Sequence, residues 1–476
     1  MTAMLRALAL GLLLLPGAAT ALDDEDVLAW LDREQEQYAA LALALWDKAE
    51  LGYLETESSG LLQQKLAAAD FRIETGVAGL PTAFVASYGS GEPVIGILAE
   101  FDALPGISQT AAPRREPHPD KHSGHACGHH LFGAGSTAAA VAVRQWMEAN
   151  NIPGPLRLYG TPAEEGGSGK VYMVRAGLFD DVDSVLVWHP ADRNAADIAT
   201  TLANKSAKFR FRGIASHAAV APERGRSALD AVEAMNYMAN LMREHMPQEA
   251  RMHYVITSGG SAPNVVPDFA ESFYYLRHPQ AATLEQLWSR LLKTAEGAAL
   301  GTGTEMELEV IHGNHSVLPN ETLATAMHRR LTMVGGVTYD AADLAFATEL
   351  AESLASREAD LAAAAALIEP MSLLQGMGST DVGDVSWTVP TAEMRAATWV
   401  PGTAPHTWQA IAAGGTAIGT KGMMVAAKTM ALTAIDLFLQ PELLQAARNE
   451  FEQRRGTDFE YRPLLGDREP PLDYRR

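Results

Sequence analysis

The sequence predicts an α/β protein in which a mostly parallel main sheet carries helices on both faces and an inserted α+β domain. In the first half of the chain, short apolar runs alternate with helical patterns, which is typical of a parallel sheet. The middle of the chain follows the order β-α-β-β-α-β, which is typical of a split βαβ, ferredoxin-like domain. A chain of 476 residues also exceeds one typical core and favours two domains.

The first part of the parent domain begins with a predicted helix. Val27, Trp30 and Leu31 recur at helical spacing between Asp24 and Tyr53. Further along, a helix rich in small residues is predicted over Leu131–Asn150. Buried strands are predicted over Val94–Phe101, Leu156–Thr161 and Ser184–Trp188.

The pattern changes near Leu202, where we expect the inserted domain to begin. It should span residues 204–316, and the parent domain should comprise residues 22–203 and 317–476. The predicted strands of the inserted domain are Ala207–Gly213, Met252–Ser258, Asp268–Arg277 and Glu305–Ile311. Its predicted helices are Ser227–Met246 and Ala282–Leu300. The parent domain should end with a helix over Gly422–Leu439, and the polar tail from Arg454 yields no structural prediction.

The N-terminus has the composition of a signal peptide. Arg6 precedes the apolar run Ala7–Leu15, and Ala19-Thr20-Ala21 offers a cleavage site. The run is too short to span a bilayer, so residues 1–21 predict an exported protein, periplasmic or secreted, with no membrane span after cleavage. The alternative is an exported protein that keeps this segment as an anchor.

Charge and cysteine content narrow the function classes. A formal net charge of −21 argues against nucleic-acid binding, because no basic stripe is available to neutralise phosphates. The single cysteine, Cys127, cannot form an internal disulfide in an exported protein. It is therefore inert, intermolecular or a metal ligand, and its histidine-rich surroundings favour the last.

Three clusters of metal-ligating residue types follow predicted strands or precede a predicted helix. They are Cys127 and His129, the pair Glu164-Glu165, and His189. Because ligands bind beyond the carboxyl ends of parallel strands, we expect these clusters and Asp102 to converge. Thiolate, imidazole and carboxylate together suit zinc, manganese or a similar divalent ion. A cysteine nucleophile with a histidine base is the rival interpretation, and it leaves Glu164, Glu165 and His189 without roles.

The adjacent glutamates should divide the work. Glu165 is assigned to the metal, and Glu164 to proton transfer between the attacking water and the leaving amine. This predicts hydrolysis of an amide bond. On spacing alone, His217 and His406 are ordinary loop histidines, and His118, His122, His125 and His130 remain open as ligands.

Together these segments resemble the M20 family of metallopeptidases and amidohydrolases, in the branch with a cysteine ligand. The matching motifs are Cys127-Gly128-His129, Glu164-Glu165-Gly166-Gly167, the strand-end His189 and the late His406. The resemblance implies two divalent ions, zinc or manganese, with His406 as the fifth ligand. It also implies that Glu164 is catalytic and that Asp102 supports a ligand histidine.

The resemblance further implies that the inserted domain is a lid that dimerises. His217 matches the family histidine that reaches an active site from the other protomer, and it is expected to steady the oxyanion. Asn264 matches a loop residue that faces the substrate, and Arg277, Lys205 or Asn264 is expected to hold a substrate carboxylate.

Finer motifs resemble the group of p-aminobenzoyl-glutamate hydrolase B subunits within that branch. They are Asn204–Phe209, Gly378–Trp387 and Gly402–Trp408. The chain departs from many relatives at His130, where they carry Asp, and at Glu100-Phe101-Asp102, where relatives often carry Arg-x-Asp. We therefore expect a small amide substrate, an N-acyl or aminobenzoyl amino acid. The alternatives are a dipeptidase or general aminoacylase, and a catalytically silent binding protein, against which the complete ligand set argues.

Overall fold

The computed structural model describes residues 21–475. The predicted signal peptide, residues 1–21, lies outside these residues apart from Ala21. Thirteen α-helices occur in the described part of the chain: α1 Asp24–Lys48, α2 Thr56–Ala67, α3 His129–Asn150, α4 Gly169–Arg175, α5 Ala228–Arg243, α6 Ala281–Thr302, α7 Glu321–Val334, α8 Ala341–Ala351, α9 Leu361–Ala366, α10 Val382–Ser386, α11 Trp408–Gly414, α12 Ala417–Leu439 and α13 Pro441–Arg455.

The same residues form fourteen strands. They are β1 Arg72–Thr75, β2 Phe84–Tyr88, β3 Ile95–Ala99, β4 Leu104–Pro105, β5 Ser123–Gly124, β6 Leu156–Gly160, β7 Ser184–Ala191, β8 Ile198–Thr200, β9 Ala203–Arg212, β10 Arg251–Ser258, β11 Phe269–His278, β12 Glu305–Asn314, β13 Leu373–Gln375 and β14 Thr391–Ala397.

The main sheet has six strands in the order β1-β2-β6-β3-β7-β14. Strands β6, β3, β7 and β14 pair in parallel, and β2 and β1 extend the sheet antiparallel at one edge. Every residue of β3 is buried, as expected for a parallel strand covered on both faces. This confirms the predicted mostly parallel sheet and brings the carboxyl ends of β3, β6 and β7 to one edge.

The inserted part of the chain forms a second sheet of four antiparallel strands in the order β10-β11-β9-β12. Helices α5 and α6 pack on this sheet and enclose a separate apolar core around Phe209, Met235 and Trp288. The order β9-α5-β10-β11-α6-β12 is the predicted ferredoxin-like arrangement.

Helices α3 and α12 form the centre of the main core. Gly133 lets α3 approach β3 closely, since a Cβ there would lie 2.9 Å from the carbonyl oxygen of Glu100. Helix α12 is long and apolar enough to cross a membrane by length and composition. However, 89% of its most apolar window is buried inside the protein, as in the core helix of a globular domain.

Local features of the structure differ from the sequence prediction. Strand β7 continues to Ala191, so that His189 lies within the strand and not after it. Helix α13 was not predicted, because it is mostly polar and buries only Ala447 and Phe451.

The C-terminal segment, residues 456–475, packs across both sheets. Tyr461 Oη donates to Asp384 Oδ1 at 2.8 Å, and the ring of His315 lies 2.9 Å from the carbonyl oxygen of Arg462. Leu464 joins the apolar core of the second sheet, whereas Leu465 joins the main core. The polar tail is therefore anchored by contacts with distant parts of the chain, which its sequence does not reveal.

Candidate metal centre

The cysteine, two histidines and Glu165 that were predicted from separate motifs meet at the carboxyl edge of the main sheet. Cys127 precedes α3, His129 is its first residue, Glu165 follows β6 and His189 projects from β7. His406 joins them from the loop before α11. Three groups form among the described residues, each with ligand atoms within 4.8 Å of one another, and two of them include Cys127: Cys127, His129 and His189, and Cys127, Glu165 and His406. The third group consists of Glu100, His129 and Glu164. Cys127 therefore belongs to both candidate ligand sets.

The glycine of the Cys127-Gly128-His129 motif allows the close approach of this turn to β7. Gly128 has a φ of +80°, and a Cβ there would lie 2.6 Å from Pro190 Cβ. A larger residue would be strained and would collide with the strand that carries His189. The spacing of the two ligands therefore depends on a contact between chain segments.

Two histidine rings are oriented by oxygen acceptors on the side away from the site. His129 Nδ1 lies 2.9 Å from Asp102 Oδ1, and His189 Nδ1 lies 2.8 Å from the Pro190 carbonyl oxygen. Because these oxygens are acceptors, each Nδ1 donates, which leaves Nε2 of a neutral ring as the atom that would bind a metal ion. Burial lowers the pKa of His189 to about 4, which keeps that ring neutral and able to ligate. Cys127 Sγ lies 3.6 Å from His189 Nε2.

Several buried polar atoms in the described residues fit a metal ion. His129 Nε2 and Glu165 Oε1 are buried without a well-aligned hydrogen bond, which is costly for polar atoms. Burial, reinforced by the Glu165 carboxylate, raises the pKa of the Cys127 thiol, so an unassisted thiolate nucleophile is disfavoured. Thiolate, imidazole and carboxylate at these separations suit a zinc or manganese ion.

His406 is positioned by its backbone. Its amide N–H donates to the Ala126 carbonyl oxygen at 2.9 Å, beside Cys127, and its φ is +62°. The ring Nε2 lies 3.5 Å from Glu165 Oε1, although 55% of the side chain is exposed. No local sequence pattern reveals this contact, and the family resemblance was the only signal for it.

The turn that carries the two glutamates is fixed by carboxylates from elsewhere in the chain. The Glu165 amide donates to Asp102 Oδ2, and the Ala163 amide donates to Glu55 Oε1, both at 2.9 Å. Glu164 lies within this turn. Burial together with the Glu100 and Glu165 carboxylates holds its pKa well above the usual range. Asp102 therefore contacts both a candidate ligand histidine and the Glu165 backbone.

A buried ion network behind the site was missed by sequence reasoning. Lys170 Nζ lies 2.6 Å from Glu100 Oε1 and 2.7 Å from Asp381 Oδ1, and all three residues are at most 1% exposed. Glu100 Oε2 also lies 3.0 Å from His129 Nε2. Glu100 and Asp381 occurred in motifs that the sequence analysis quoted, but Lys170 had no signal, because its partners are distant in sequence.

The candidate metal centre opens into a cavity of about 580 Å³ between the two sheets. Arg277, Asn204 and Tyr275 of the second sheet line it, together with Ser379 and Thr380 of the main domain. Arg277 is thus placed where the sequence analysis expected a substrate-binding group.

The structure contradicts the expectation that Lys205 can hold a substrate carboxylate. Its ammonium lies 2.9 Å from Glu285 Oε1 and 5.2 Å from the centre of the Trp288 ring, both on α6. Since side chains alternate along a strand, its neighbour Asn204 faces the cavity instead. Lys205 therefore contacts the helical face of the second sheet and not the site.

His217 and Asn264 are also outside the cavity of their own chain. Both lie on loops of the inserted part, where the Ala218 amide donates to the Asn264 carbonyl oxygen at 2.9 Å. His130 is buried with Nε2 3.0 Å from the Gly414 carbonyl oxygen, and its ring lies near that of His125. The structure therefore does not unite His217, Asn264 or His130 with the metal-ligand groups.

Comparison with known families defines the class of protein that carries this fold and site. The model of peptidase family M20/M25/M40 matches residues 96–410. The chain belongs to this family and is a metal-dependent hydrolase that acts on amide C–N bonds.

Individual relatives are similar over most of the chain. The chain is 41% identical to the B subunit of p-aminobenzoyl-glutamate hydrolase from Escherichia coli (strain K12), covering 91% of this chain and 96% of the relative. It is 32% identical to Xaa-Arg dipeptidase of Mus musculus, covering 89% and 90%.

Solved structures share the fold. The chain resembles an aminobenzoyl-glutamate utilization protein from Klebsiella pneumoniae with a TM-score of 0.63 at 18% identity, covering 87% of this chain and 98% of that one. It resembles a dinuclear metal-binding peptidase of Bacillus subtilis from the M20 family with a TM-score of 0.57 at 20% identity, covering 86% and 99%.

Proposed function

We propose that this protein cleaves the amide bond between an aminobenzoyl or acyl group and a dicarboxylic amino acid, with two divalent ions in the site. The observation that carries this proposal is the pair of metal-ligand groups that share Cys127, beside a cavity lined by the partly buried Arg277. The 41% identity to the B subunit of a p-aminobenzoyl-glutamate hydrolase supports the choice of substrate.

The two groups that share Cys127 indicate which residues would hold each ion. One ion would be held by Cys127, His129 and His189, and the other by Cys127, Glu165 and His406. Three imidazoles, one thiolate and one carboxylate favour zinc or manganese. When bound, such ions supply a Lewis acid for the amide carbonyl and make a water molecule acidic enough to attack it.

Glu164 is placed to move the proton. It lines the cavity next to Glu165, and the hydrogen bonds of the Ala163 and Glu165 amides fix the turn. Its carboxylate takes a proton from the attacking water and delivers it to the amide nitrogen, which leaves as an amine.

Arg277 is suited to bind a substrate carboxylate. Its Nε is buried without a hydrogen-bond partner, and no carboxylate among residues 21–475 forms an ion pair with it. Partial burial removes water from its guanidinium and lowers its pKa. A carboxylate from the substrate would restore the missing interactions in a bidentate pair.

We further propose a homodimer through the inserted part. Strand β10 is an edge strand with exposed Val255 and Ile256, and α5 exposes Tyr237 and Leu241. Pairing of such an edge covers apolar side chains and unpaired backbone groups. It would also allow His217 and Asn264 to reach the cavity of the partner.

Export is likewise proposed, from the pattern of residues 1–21. N-terminal sequencing of the protein from the periplasmic fraction should begin at Leu22. Recovery of the whole protein in the cytoplasm with Met1 retained would exclude it.

The experiment compares substrates on the chain from Leu22 after loading with zinc or manganese. p-Aminobenzoyl-glutamate should exceed p-aminobenzoyl-leucine in kcat/KM by about tenfold or more, equivalent to about 1.4 kcal/mol. Chelation should abolish the activity and metal should restore it.

A dipeptidase is the second candidate, since a relative at 32% identity bears that name and Asp192 and Glu393 also line the cavity. The panel therefore includes a dipeptide with C-terminal arginine. Preference for this dipeptide would replace the proposed substrate class, and activity in the chelated, metal-free protein would remove the two-ion hypothesis.

A further inference from the structure

The end of the C-terminal segment reaches the candidate metal centre. Tyr474 packs edge-on against Tyr53, with ring centres 5.7 Å apart, and its hydroxyl lies 3.3 Å from the Glu165 carbonyl oxygen. Arg475 Nη2 donates to the same carbonyl oxygen. Two consecutive residues from the far end of the chain therefore contact the backbone of a candidate metal ligand.

Contacts along the C-terminal segment fix the position of Tyr474 and Arg475. It passes directly over β12, where a Cβ on Gly313 would lie 2.7 Å from the Leu465 amide nitrogen. Arg175 Nη1 donates to the Arg468 carbonyl oxygen at 2.8 Å, and Arg468 lies near Glu309 of β12. These contacts hold the segment against both sheets before it turns into the cavity.

The charges around the cavity single out two arginines. Arg193 and Arg395 lie 3.6 Å and 3.9 Å from the carboxylates of Asp192 and Glu393. Arg277 and Arg475 also line the cavity, but neither has a carboxylate partner among residues 21–475. Each has a buried Nε without a hydrogen-bond partner.

We infer that Arg475 is a specificity-determining residue that binds a second anionic group of the substrate while Arg277 binds the first. This inference rests on the proposed function and deepens it, since it assigns the cavity to an acylated amino acid with two carboxylates. The protein is strongly acidic overall, with a net charge of −21, so local guanidinium groups must provide the attraction. A partly buried arginine whose Nε–H has no partner suits a planar carboxylate.

The test compares two substrates of nearly equal shape. p-Aminobenzoyl-glutamate carries two carboxylates, whereas p-aminobenzoyl-glutamine carries one carboxylate and one amide. Arg475→Gln should lower kcat/KM for the glutamate substrate by about tenfold or more, mainly through KM, and change the glutamine substrate by less than about twofold. Arg475→Lys should retain part of the preference.

Arg462→Gln is the matched control, because Arg462 belongs to the same segment, is 80% exposed in its side chain and pairs with Glu460. It should leave both substrates unaffected. An equal loss on both substrates with Arg475→Gln, or a loss of bound metal, would show that Arg475 only holds the Glu165 turn and would overturn the inference. No change on either substrate would also overturn it.

Calorimetric binding to metal-loaded Glu164→Gln protein separates this inference from the proposed function. Tighter binding of the glutamate compound, lost when Arg475→Gln is added, supports the inference even if the native protein does not hydrolyse it. In that case only the proposed reaction fails. Equal binding of the two compounds, or no binding of either, refutes the role of Arg475.

Discussion

At the residue scale, the adjacent Glu164 and Glu165 show how one turn places two carboxylates in different surroundings. Glu165 Oε1 lies 3.5 Å from His406 Nε2 and within the metal-ligand group of Cys127. Glu164 instead belongs to a group with Glu100 and His129. The geometry therefore supports a division of roles, which is open to a direct test.

Glu164→Gln should keep the bound metal and substrate affinity while turnover falls by about 10²–10⁴-fold, because an amide cannot accept the proton. Glu165→Gln should lose metal, because it removes a carboxylate ligand. Metal analysis of the purified variants, beside their kcat values, distinguishes the two. The reverse pattern would exchange the assigned roles.

At the element scale, the main sheet and α4 enclose charges that the fold must compensate. Lys170, in the first turn of α4, neutralises Glu100 after β3 and Asp381 before α10. Burial raises the pKa of Asp381 to about 6 despite the nearby ammonium group. This network ties three elements together beneath the candidate metal centre.

Lys170→Met should lower the free energy of unfolding by about 3–5 kcal/mol, because it removes the ammonium group that balances two buried carboxylates. Urea unfolding monitored by tryptophan fluorescence measures this change. Lys428→Met is the control, since Lys428 pairs with an Asp32 side chain that is 58% exposed. That surface pair should contribute about 0–1 kcal/mol. A similarly small effect at Lys170 would contradict the stabilising role of the network.

At the scale of the whole molecule, His217 and Asn264 lie outside the candidate metal centre of their own chain. Both residues lie on loops of the inserted part and do not line the cavity of their own chain. The exposed apolar residues of β10 and α5 supply a surface on which a second copy could bring them to that cavity. The proposed dimer would therefore complete the site.

Mixing His217→Ala and Glu164→Gln protomers in equal amounts should restore activity, up to about half of the native value per mixed dimer and about a quarter per total protein after random pairing. Each variant alone lacks one group, but one of the two sites in a mixed dimer contains both. Sedimentation would verify mixed dimers formed by refolding the variants together. Verified mixed dimers without recovered activity would exclude action across the interface. Recovery only on addition of a different polypeptide chain would favour a heteromeric partner.

The sequence alone predicted the mostly parallel sheet and the inserted βαββαβ part. Strand β3 and helix α5 follow from local periodicity, because a buried apolar run or an apolar stripe is visible within about 5–18 residues. The cluster of Cys127, Glu165 and His189 was predictable for a related reason. Each residue follows a strand or precedes a helix in the predicted pattern, and parallel strands bring their carboxyl ends together.

Only the tertiary structure decided which charged groups face the cavity. It turned Lys205 towards Glu285, placed Asn204 in the cavity, paired Lys170 with Glu100 and Asp381, and brought Arg475 to Glu165. These contacts join residues up to 310 positions apart. Their energies depend on burial and on the nearest opposite charge, and neither quantity exists until the chain has folded.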